Sequence, residues 1–255
     1  MLLLWKDRET GLFLSVFGYI LCMGKEIAVE RKHPHIRYAN VFWLFLLGSV
    51  LGVLMEGIWT LIGDGHWESH VITIWGPFCI IYGFGFAGCY IGSILLEGKG
   101  NWTKFFTFAI GGAVVEFLCG FLILRYCGMR AWDYSDKFLN VLGLTDLNMS
   151  ILWGCLGVGF GHLVPYIDKA FEKLTGRFWH KALVILSIFM AVNLLWTARV
   201  VSRWAYRHWN EPPANAISRM IDRKYTDEYL SNRYVEWWFL DEDGQYTRNR
   251  MVNES

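Results

Sequence analysis

The sequence predicts an all-α fold, a polytopic membrane helix bundle of five spans, or of six if a short N-terminal run also crosses. Of its 255 residues, 54% are hydrophobic and only 18% are charged, whereas soluble chains carry roughly 25% charged residues. The mean hydropathy is +0.29. This composition argues against a disordered chain, a nucleic-acid-binding module and an ordinary soluble enzyme.

Five long windows are nearly free of charge and predict the five spans. A bilayer core needs about 20 apolar residues per helix, and lipid cannot hydrogen-bond a bare backbone, so each window must be helical. The windows are Asn40–Ile62, Ile74–Leu96, Phe105–Leu124, Leu147–Ile167 and Ala182–Ala198. A further apolar run, Gly11–Met23, is too short for a full span, so we expect it to lie at the interface or to cross only in part.

Basic residues in the loops predict the orientation. Lys and Arg number four in Lys25–Ala39, two in Glu97–Lys104 and four in Asp168–Lys181, against three in Arg125–Asp146 and none in Gly63–Thr73. The positive-inside rule places the first three segments in the cytoplasm, and we expect the bacterial cytoplasmic membrane. Five spans then put the C-terminal tail outside, although three arginines flank the last span on that side: Arg199, Arg203 and Arg207.

The chain divides into four predicted regions. Residues 1–39 hold the short apolar run and a basic cytoplasmic loop, residues 40–171 a four-span core, and residues 172–198 a linker and the fifth span. Residues 199–255 form a charged, aromatic-rich tail. In the tail we predict a short helix over Ala214–Arg233 and then a strand, turn and strand ending at Thr247. We expect a small solvated appendage, with a docking surface as the alternative because the tail carries many aromatic residues.

The first and third spans share a glycine–glutamate pattern. Gly48, Gly52 and Glu56 are spaced by four residues, as are Gly112, Glu116 and Gly120. This spacing puts each set on one helix face, and small residues on such a face let a neighbouring helix approach closely. Each glutamate is therefore predicted to face a tight helix–helix seam.

A second shared feature extends the pattern to the following spans. Trp75-Gly76 opens the second span, and Trp153-Gly154 lies near the start of the fourth. The chain thus reads as two helical hairpins that run the same way across the membrane, a parallel internal repeat.

The paired glutamates are the main candidates for function. A carboxylate inside a span costs about 2.5–3.5 kcal/mol on insertion scales, so it is rarely placed there without a role. One interpretation is contact with an ion, a proton or a substrate; the other is a protonated or paired glutamate that locks the bundle. Matching positions in the two halves favour the functional interpretation. The predicted contact residues are Glu56, Glu116, Tyr82, Trp132, Asp133 and Arg130.

The outer loop Arg125–Asn148 supplies the polar members of this predicted site. Its charged side chains can pair among themselves, and its aromatic side chains suit the membrane interface. One hypothesis is that Arg130 or Arg125 reaches Glu116 or Glu56.

The sequence offers no catalytic, cofactor or metal signature. No phosphate-binding G-x-x-x-x-G-K-[ST] occurs, so any ATP hydrolysis must come from another chain. The loop sequence His66-Trp67-Glu68-Ser69-His70 lacks the zinc-protease pattern, and the cysteines form no C-x-x-C pair, so we predict no metal site and no cofactor.

Several motifs in a fixed order identify a family resemblance. They are Gly52 through Glu56, the stretch Gly76-Pro77-Phe78-Cys79-Ile80-Ile81-Tyr82-Gly83, then Trp132-Asp133-Tyr134-Ser135, Asn140–Gly143 and Trp153-Gly154. Over roughly Phe42 to Asp168 the chain resembles the ABC-transporter type IV permease family of bacterial multi-pass proteins. It departs from the family pattern at Val53, Ile80 and Leu144, and it has no arginine between Asp64 and Pro77.

The resemblance implies a permease-like subunit in the lipid bilayer that works with a separate ATPase. No nucleic-acid partner is expected, and a homo-oligomer is left open. The alternative is a membrane enzyme or accessory protein that acts on lipid or envelope material through Asp133, His66, His70 and Glu68. A purely structural role is the third possibility.

Overall fold

The structure, a computed structural model, describes residues 36–240 and the backbone at 246–247. The apolar run Gly11–Met23 lies outside the described residues. The helices are α1 (Tyr38–Asp64), α2 (Ile80–Leu95), α3 (Asn101–Cys127), α4 (Leu147–Phe171), α5 (Arg177–His208), α6 (Ala216–Lys224) and α7 (Asp227–Arg233). The strands are β1 (Met129–Arg130), β2 (Trp238–Leu240) and β3 (Tyr246–Thr247).

Four of these helices, α1, α3, α4 and α5, are long and apolar enough to cross a membrane. The predicted all-α membrane bundle is therefore confirmed. The second window differs from the prediction: α2 has 16 residues, or about 24 Å of helix. The start of that window, Ile74–Cys79, is not helical. The physical reason is local, because Gly76 has a φ of +75° and Pro77 has no backbone N–H to donate.

The bundle is built from two hairpins, α1 with α2 and α3 with α4, which meet through α2 and α4. Both hairpins close over a glycine facing an aromatic ring: Gly52 lies against Tyr82, and Gly112 against Trp153. Each hairpin also has one glycine–phenylalanine contact, but the two residues are on opposite helices in the two hairpins. In the first hairpin Gly48 of α1 packs against Phe86 of α2. In the second, Gly157 of α4 packs against Phe108 of α3.

The glycine contacts of the two hairpins match each other, but with a different pairing of the second helices from the one predicted. Gly83 of α2 packs against Phe45, and Gly154 of α4 packs in the same way against Phe105. Gly83, not Gly76, is thus the counterpart of Gly154. Trp75-Gly76 precedes α2, whereas Trp153-Gly154 lies inside α4, because the positive φ at Gly76 interrupts the first copy and no such residue interrupts the second.

The tail folds back onto the end of α5 instead of forming a solvated appendage. Its buried side chains make one hydrophobic core with α5, with Ile74 of the loop between α1 and α2 (the first outer loop) and with Met129 of the loop between α3 and α4 (the second outer loop). The other members of this core are Val200, Trp204, Ile221, Leu230, Tyr234 and Phe239. Burial of the aromatic residues supplies the driving force for this packing. The aromatic residues that suggested a docking surface are largely used here, and Tyr234 is only 2% exposed.

The tail's secondary structure follows the prediction in part. Two strands lie where strands were predicted, and β2 pairs with β3 in antiparallel register; the predicted turn between them lies outside the described residues. The single predicted helix is instead two, α6 and α7, because the Thr226 hydroxyl accepts a hydrogen bond from the N–H of Tyr229 and starts a new helix. The pairing of β2 with β1, which joins the tail to the second outer loop, was not predicted.

The arginines after the predicted fifth span belong to α5, which continues to His208. Arg203 binds Asp222 through two hydrogen bonds of 2.8 Å, and Arg207 binds Asp222 at 2.9 Å and also Asp227. These ion pairs hold the tail beside the two outer loops, at the same end of the bundle. The five-span count predicts the tail at that end. Two of the three arginines that flank the span, Arg203 and Arg207, pair with tail carboxylates, whereas Arg199 donates to the Ser218 hydroxyl at 3.2 Å.

Candidate functional site

The first predicted glutamate, Glu56, lies in the seam between α1 and α2. One turn earlier, a Cβ at Gly52 would come within 2.5 Å of the Tyr82 ring, so only glycine lets the two helices approach this closely. The Tyr82 hydroxyl donates a hydrogen bond to Oε1 of Glu56. Both residues were predicted contact residues, and the structure brings them together at the half-buried outer end of the first hairpin.

The second predicted glutamate, Glu116, is more deeply enclosed, with 7% of its surface exposed. The Tyr134 hydroxyl donates to its Oε1 at 3.2 Å, and the Thr145 hydroxyl donates to its Oε2 at 2.8 Å. Both donors come from the outer loop between β1 and α4. One turn along α3, Gly120 lets Leu144 and Trp132 approach to about 3 Å of the position a Cβ would take. The loop therefore closes directly over the carboxylate.

Tyr134 connects the two halves electrostatically. Burial raises the pKa of its hydroxyl above the ordinary value, the negative charge of Glu116 raises it further, and the charge of Glu56 adds to the effect. Tyr134 therefore lies within electrostatic reach of both glutamates. Glu56 is bonded by Tyr82 of α2, and Glu116 is bonded by Tyr134 and Thr145 of the outer loop. We refer to Glu56, Tyr82, Glu116, Tyr134 and Thr145 as the glutamate–tyrosine cluster.

Two predicted contact residues, Arg130 and Asp133, shape the loop itself. Arg130 forms an ion pair with Asp133 at 3.0 Å and donates to the carbonyl of Leu142 at 3.0 Å. Asp133 also accepts hydrogen bonds from the N–H and hydroxyl of Ser135. The expected link between Arg130 and Glu116 is not among these contacts, and both hydrogen bonds described for Glu116 come from hydroxyls. Arg125 is exposed at the end of α3.

The remaining motif residues of this loop hold its turn. Asn140 donates to the carbonyls of Ser135 (3.2 Å) and Lys137 (2.9 Å) and accepts from the N–H of Gly143. Gly143 has a φ of +67°, where L side chains are strained. Trp132 donates its indole N–H to the carbonyl of Leu144 at 2.8 Å. Together these bonds fix the stretch that carries Tyr134 and Thr145.

A non-helical segment, residues 71–79, enters the bundle between α1 and α5. Cys79 donates its backbone N–H to the Ser49 carbonyl of α1 at 2.8 Å, and Ile74 donates to the Thr197 hydroxyl of α5 at 2.9 Å. Asn193 of α5 pairs with both backbone groups of Trp75, at 2.8 and 3.2 Å. Irregular backbone at membrane depth is tolerated where protein groups satisfy it in this way. We call residues 71–79 the re-entrant segment.

The tail also donates hydrogen bonds to backbone carbonyls of the re-entrant segment. Arg233 donates to the Thr73 carbonyl at 2.7 and 3.1 Å and to the Gly76 carbonyl at 2.6 Å. Sequence reasoning missed these contacts. The available signal was Asn193 and Thr197, two polar residues one turn apart in an apolar window, which indicated that α5 faces a polar partner.

A polar cluster lies just before the re-entrant segment, where the tail meets the first outer loop. Nδ1 of His70 lies 2.6 Å from Oε2 of Glu236, and the backbone N–H of Glu68 donates to the Thr60 hydroxyl at 3.3 Å. Burial lowers the pKa of His70, but the hydrogen bond and charge of Glu236 outweigh it, so the pKa ends above 6.5. The sequence predicts Glu68 and His70 as polar groups of the alternative enzyme and predicts no metal site here; it gives no sign of the contact with Glu236, which lies far away in the chain.

Beside Glu116 an apolar groove of about 520 Å³ opens between α3, α4 and the outer loop. Its lining is almost wholly aliphatic and aromatic, and it includes Phe105, Phe117, Val141 and Ile151. Thr145, which donates to Glu116, is also part of the lining. Glu116 itself does not line the groove, so the connection between the groove and the carboxylate is the side chain of Thr145.

Comparison with known proteins gives one finding on family. The family model described as "Putative ABC-transporter type IV" matches residues 43–198, which include α1 from Trp43 onward, the whole of α2, α3 and α4, and most of the apolar part of α5. No curated protein and no solved structure matches the chain. The matched region contains both glutamates of the cluster and the re-entrant segment, but not the tail.

Proposed function

This chain belongs to the ABC-transporter type IV family, and we propose that it is the permease-like membrane subunit of a transporter that takes its energy from a separate ATPase. Family membership and four membrane-capable helices make it an ABC-transporter-related membrane protein. The sequence has no nucleotide-binding motif of its own, and this supports the need for an ATPase partner.

The observation that carries the proposal is the glutamate–tyrosine cluster. Each hairpin carries one carboxylate bonded by hydroxyl groups, Glu56 by Tyr82 of the facing helix and Glu116 by Tyr134 and Thr145 of the outer loop. Carboxylates in membrane spans mark substrate and ion pathways because their burial costs free energy that packing alone would not justify. The hydroxyl donors compensate that cost, and they can be exchanged for the polar groups of a substrate or for an ion.

The apolar groove beside Glu116 supports a substrate that has an apolar part. Such a part would lie against Phe117 and its neighbours while a hydrogen-bond donor or cationic group reaches the carboxylate. Ligand sites commonly combine mostly apolar walls with a few polar groups that fix orientation.

The alternative, a membrane enzyme acting on envelope material, draws less support from the geometry. Asp133, its expected key residue, is engaged with Arg130 and Ser135 in shaping the loop. The other polar residues expected for such an enzyme, Glu68 and His70, lie beside the tail residue Glu236, away from Asp133.

The proposal is tested by purifying the full-length tagged chain from its native membranes in mild detergent. We expect a nucleotide-binding ATPase subunit to co-purify in a defined ratio and to be identified by mass spectrometry. The control is a second tagged membrane protein from the same membranes, purified in parallel. Failure of an ATPase to co-purify above that control would overturn the ATPase part of the proposal.

A further inference from the structure

Three metal-ligating side chains meet where the tail joins the first outer loop. One ligand atom from each of Glu68, His70 and Glu236 lies within 4.8 Å of the other two. Glu68 and His70 come from the loop that leads into the re-entrant segment, and Glu236 lies just before β2. Only the folded tail brings the third side chain to the other two.

The histidine is buried and presents one ring nitrogen to the carboxylates. Its side chain is 5% exposed, and Nδ1 lies 2.6 Å from Oε2 of Glu236. A metal ion shared by His70 and Glu236 would bind Nδ1 in place of this hydrogen bond. Nε2 is buried on the other side of the ring, without a hydrogen-bond partner among the described residues.

We propose that Glu68, His70 and Glu236 form a binding site for one divalent transition-metal ion, for which Zn²⁺ is the best match. The donor set is one imidazole and two carboxylates. Mg²⁺ and Ca²⁺ prefer all-oxygen sites with six or more ligands, whereas Zn²⁺ accepts imidazole and carboxylate in a four-coordinate site. Three protein ligands leave the fourth position to water.

Zinc binding requires small movements of both glutamates. Zn–N and Zn–O bonds of about 2.0–2.1 Å put tetrahedral ligand atoms about 3.3 Å apart, between the 2.6 Å of the His70–Glu236 pair and the 4.8 Å spread of the set. The His70 side chain is 5% exposed, whereas that of Glu236 is 43% exposed and has room to move. Binding would therefore move the Glu236 oxygen slightly away from Nδ1 and bring Glu68 closer to the imidazole.

A metal ion bound here would link the tail, through Glu236, to the loop that leads into the re-entrant segment. Arg233, three residues before Glu236, already binds the Thr73 and Gly76 carbonyls. A metal on His70 would hold the same piece of tail at a second point. The site does not depend on Glu56 or Glu116, so the proposed transport function and the metal site can fail separately.

The test uses the full chain in detergent, purified without a polyhistidine tag and stripped with a chelator. We expect isothermal titration with Zn²⁺ to give one ion per chain, and mass-spectrometric metal analysis after dialysis to retain it. His70→Gln and Glu236→Gln should each weaken binding by about 100-fold or more, since even groups that only orient a metal ligand are worth about 10- to 100-fold. Bound Zn²⁺ should raise the unfolding temperature of the wild type alone.

The matched controls are His66→Gln, in the same loop, and Glu228→Gln, an exposed carboxylate on α7; both should bind Zn²⁺ as the wild type does. If His70→Gln misfolds, Glu68→Gln provides the decisive comparison because that side chain is partly exposed and its backbone bond to Thr60 is unaffected. Absence of Zn²⁺ binding by the wild type, or equal loss in His70→Gln and His66→Gln, would overturn the proposal.

Discussion

Arg203 and Asp222 form a two-point ion pair in which both nitrogen–oxygen distances are 2.8 Å. The Arg203 side chain is 5% exposed and that of Asp222 is 22% exposed, so the pair is largely removed from water. It joins the end of the last span to the first tail helix. Its geometry makes the position of the tail testable.

Replacing Asp222 with Asn should release the tail from α5. Removing one partner of a buried pair leaves an uncompensated charge on Arg203 and costs about 3 kcal/mol or more. We expect proteolysis between α5 and α6 at protease concentrations that leave the wild type intact. Glu228→Gln, which removes an exposed carboxylate from α7, is the control and should be cleaved like the wild type.

The same pair predicts an acid-induced release of the tail. The hydrogen bonds and charges of Arg203 and Arg207 lower the pKa of Asp222 below its ordinary value of 3.8. A lowered pKa in the folded state means that the stabilisation is complete above 3.8 and is lost as the pH falls through the folded-state pKa. Tryptophan fluorescence of the tail core, followed from pH 5 to lower values, should show this loss, and Asp222→Asn should remove that part of the pH dependence.

The close approach of the second hairpin predicts a contrast between two adjacent glycines. A Cβ at Gly112 would collide with the Trp153 ring, whereas nothing lies within 4 Å of a Cβ at Gly111. Gly112→Ala should therefore destabilise the bundle by about 1–3 kcal/mol through overpacking. Gly111→Ala should be neutral or slightly stabilising because alanine favours the helix. Thermal unfolding in detergent compares the two, and an equal effect would argue against the seam.

The re-entrant segment predicts a strong effect at Asn193, which is fully buried. Asn193→Ala leaves both backbone groups of Trp75 without their side-chain partner, at a cost of about 1–3 kcal/mol. Hydrogen exchange should become faster at the amides of residues 71–79. Val192→Ala, at the neighbouring half-exposed position, should leave that exchange unchanged.

Much of the bundle could be predicted because lipid imposes a simple rule on sequence. Charge-free windows identified the helices. Four-residue spacing correctly placed Glu56 in a helix–helix seam, whereas Glu116 is bonded by the outer loop and not by the facing helix. The Trp-Gly match failed because a short motif carries no information on helix register; Gly76 breaks one copy while Gly154 packs inside the other.

The long-range contacts could not be predicted from a single sequence. Tyr134, Arg233 and Glu236 reach their partners only after the outer loop and the tail have folded, and nothing local to those residues indicates which backbone or carboxylate they meet. The charged composition of the tail suggested solvation, yet Asp222 and Arg203 cancel each other and allow the aromatic residues beneath them to be buried.

The proposed transport function requires that Glu56 and Glu116 act in transport and do not only stabilise the packing of the bundle. The most direct measurement is ATP hydrolysis by the co-purified complex in lipid vesicles. It compares the double variant Glu56→Gln/Glu116→Gln with the control Glu172→Gln. Glu172 is an exposed residue at the opposite end of the bundle. We expect the double variant to retain its ATPase partner but to hydrolyse ATP at least about 10-fold more slowly, the loss of roughly 1.4 kcal/mol of coupling. Hydrolysis and transport equal to those of Glu172→Gln, with the complex intact, would contradict it.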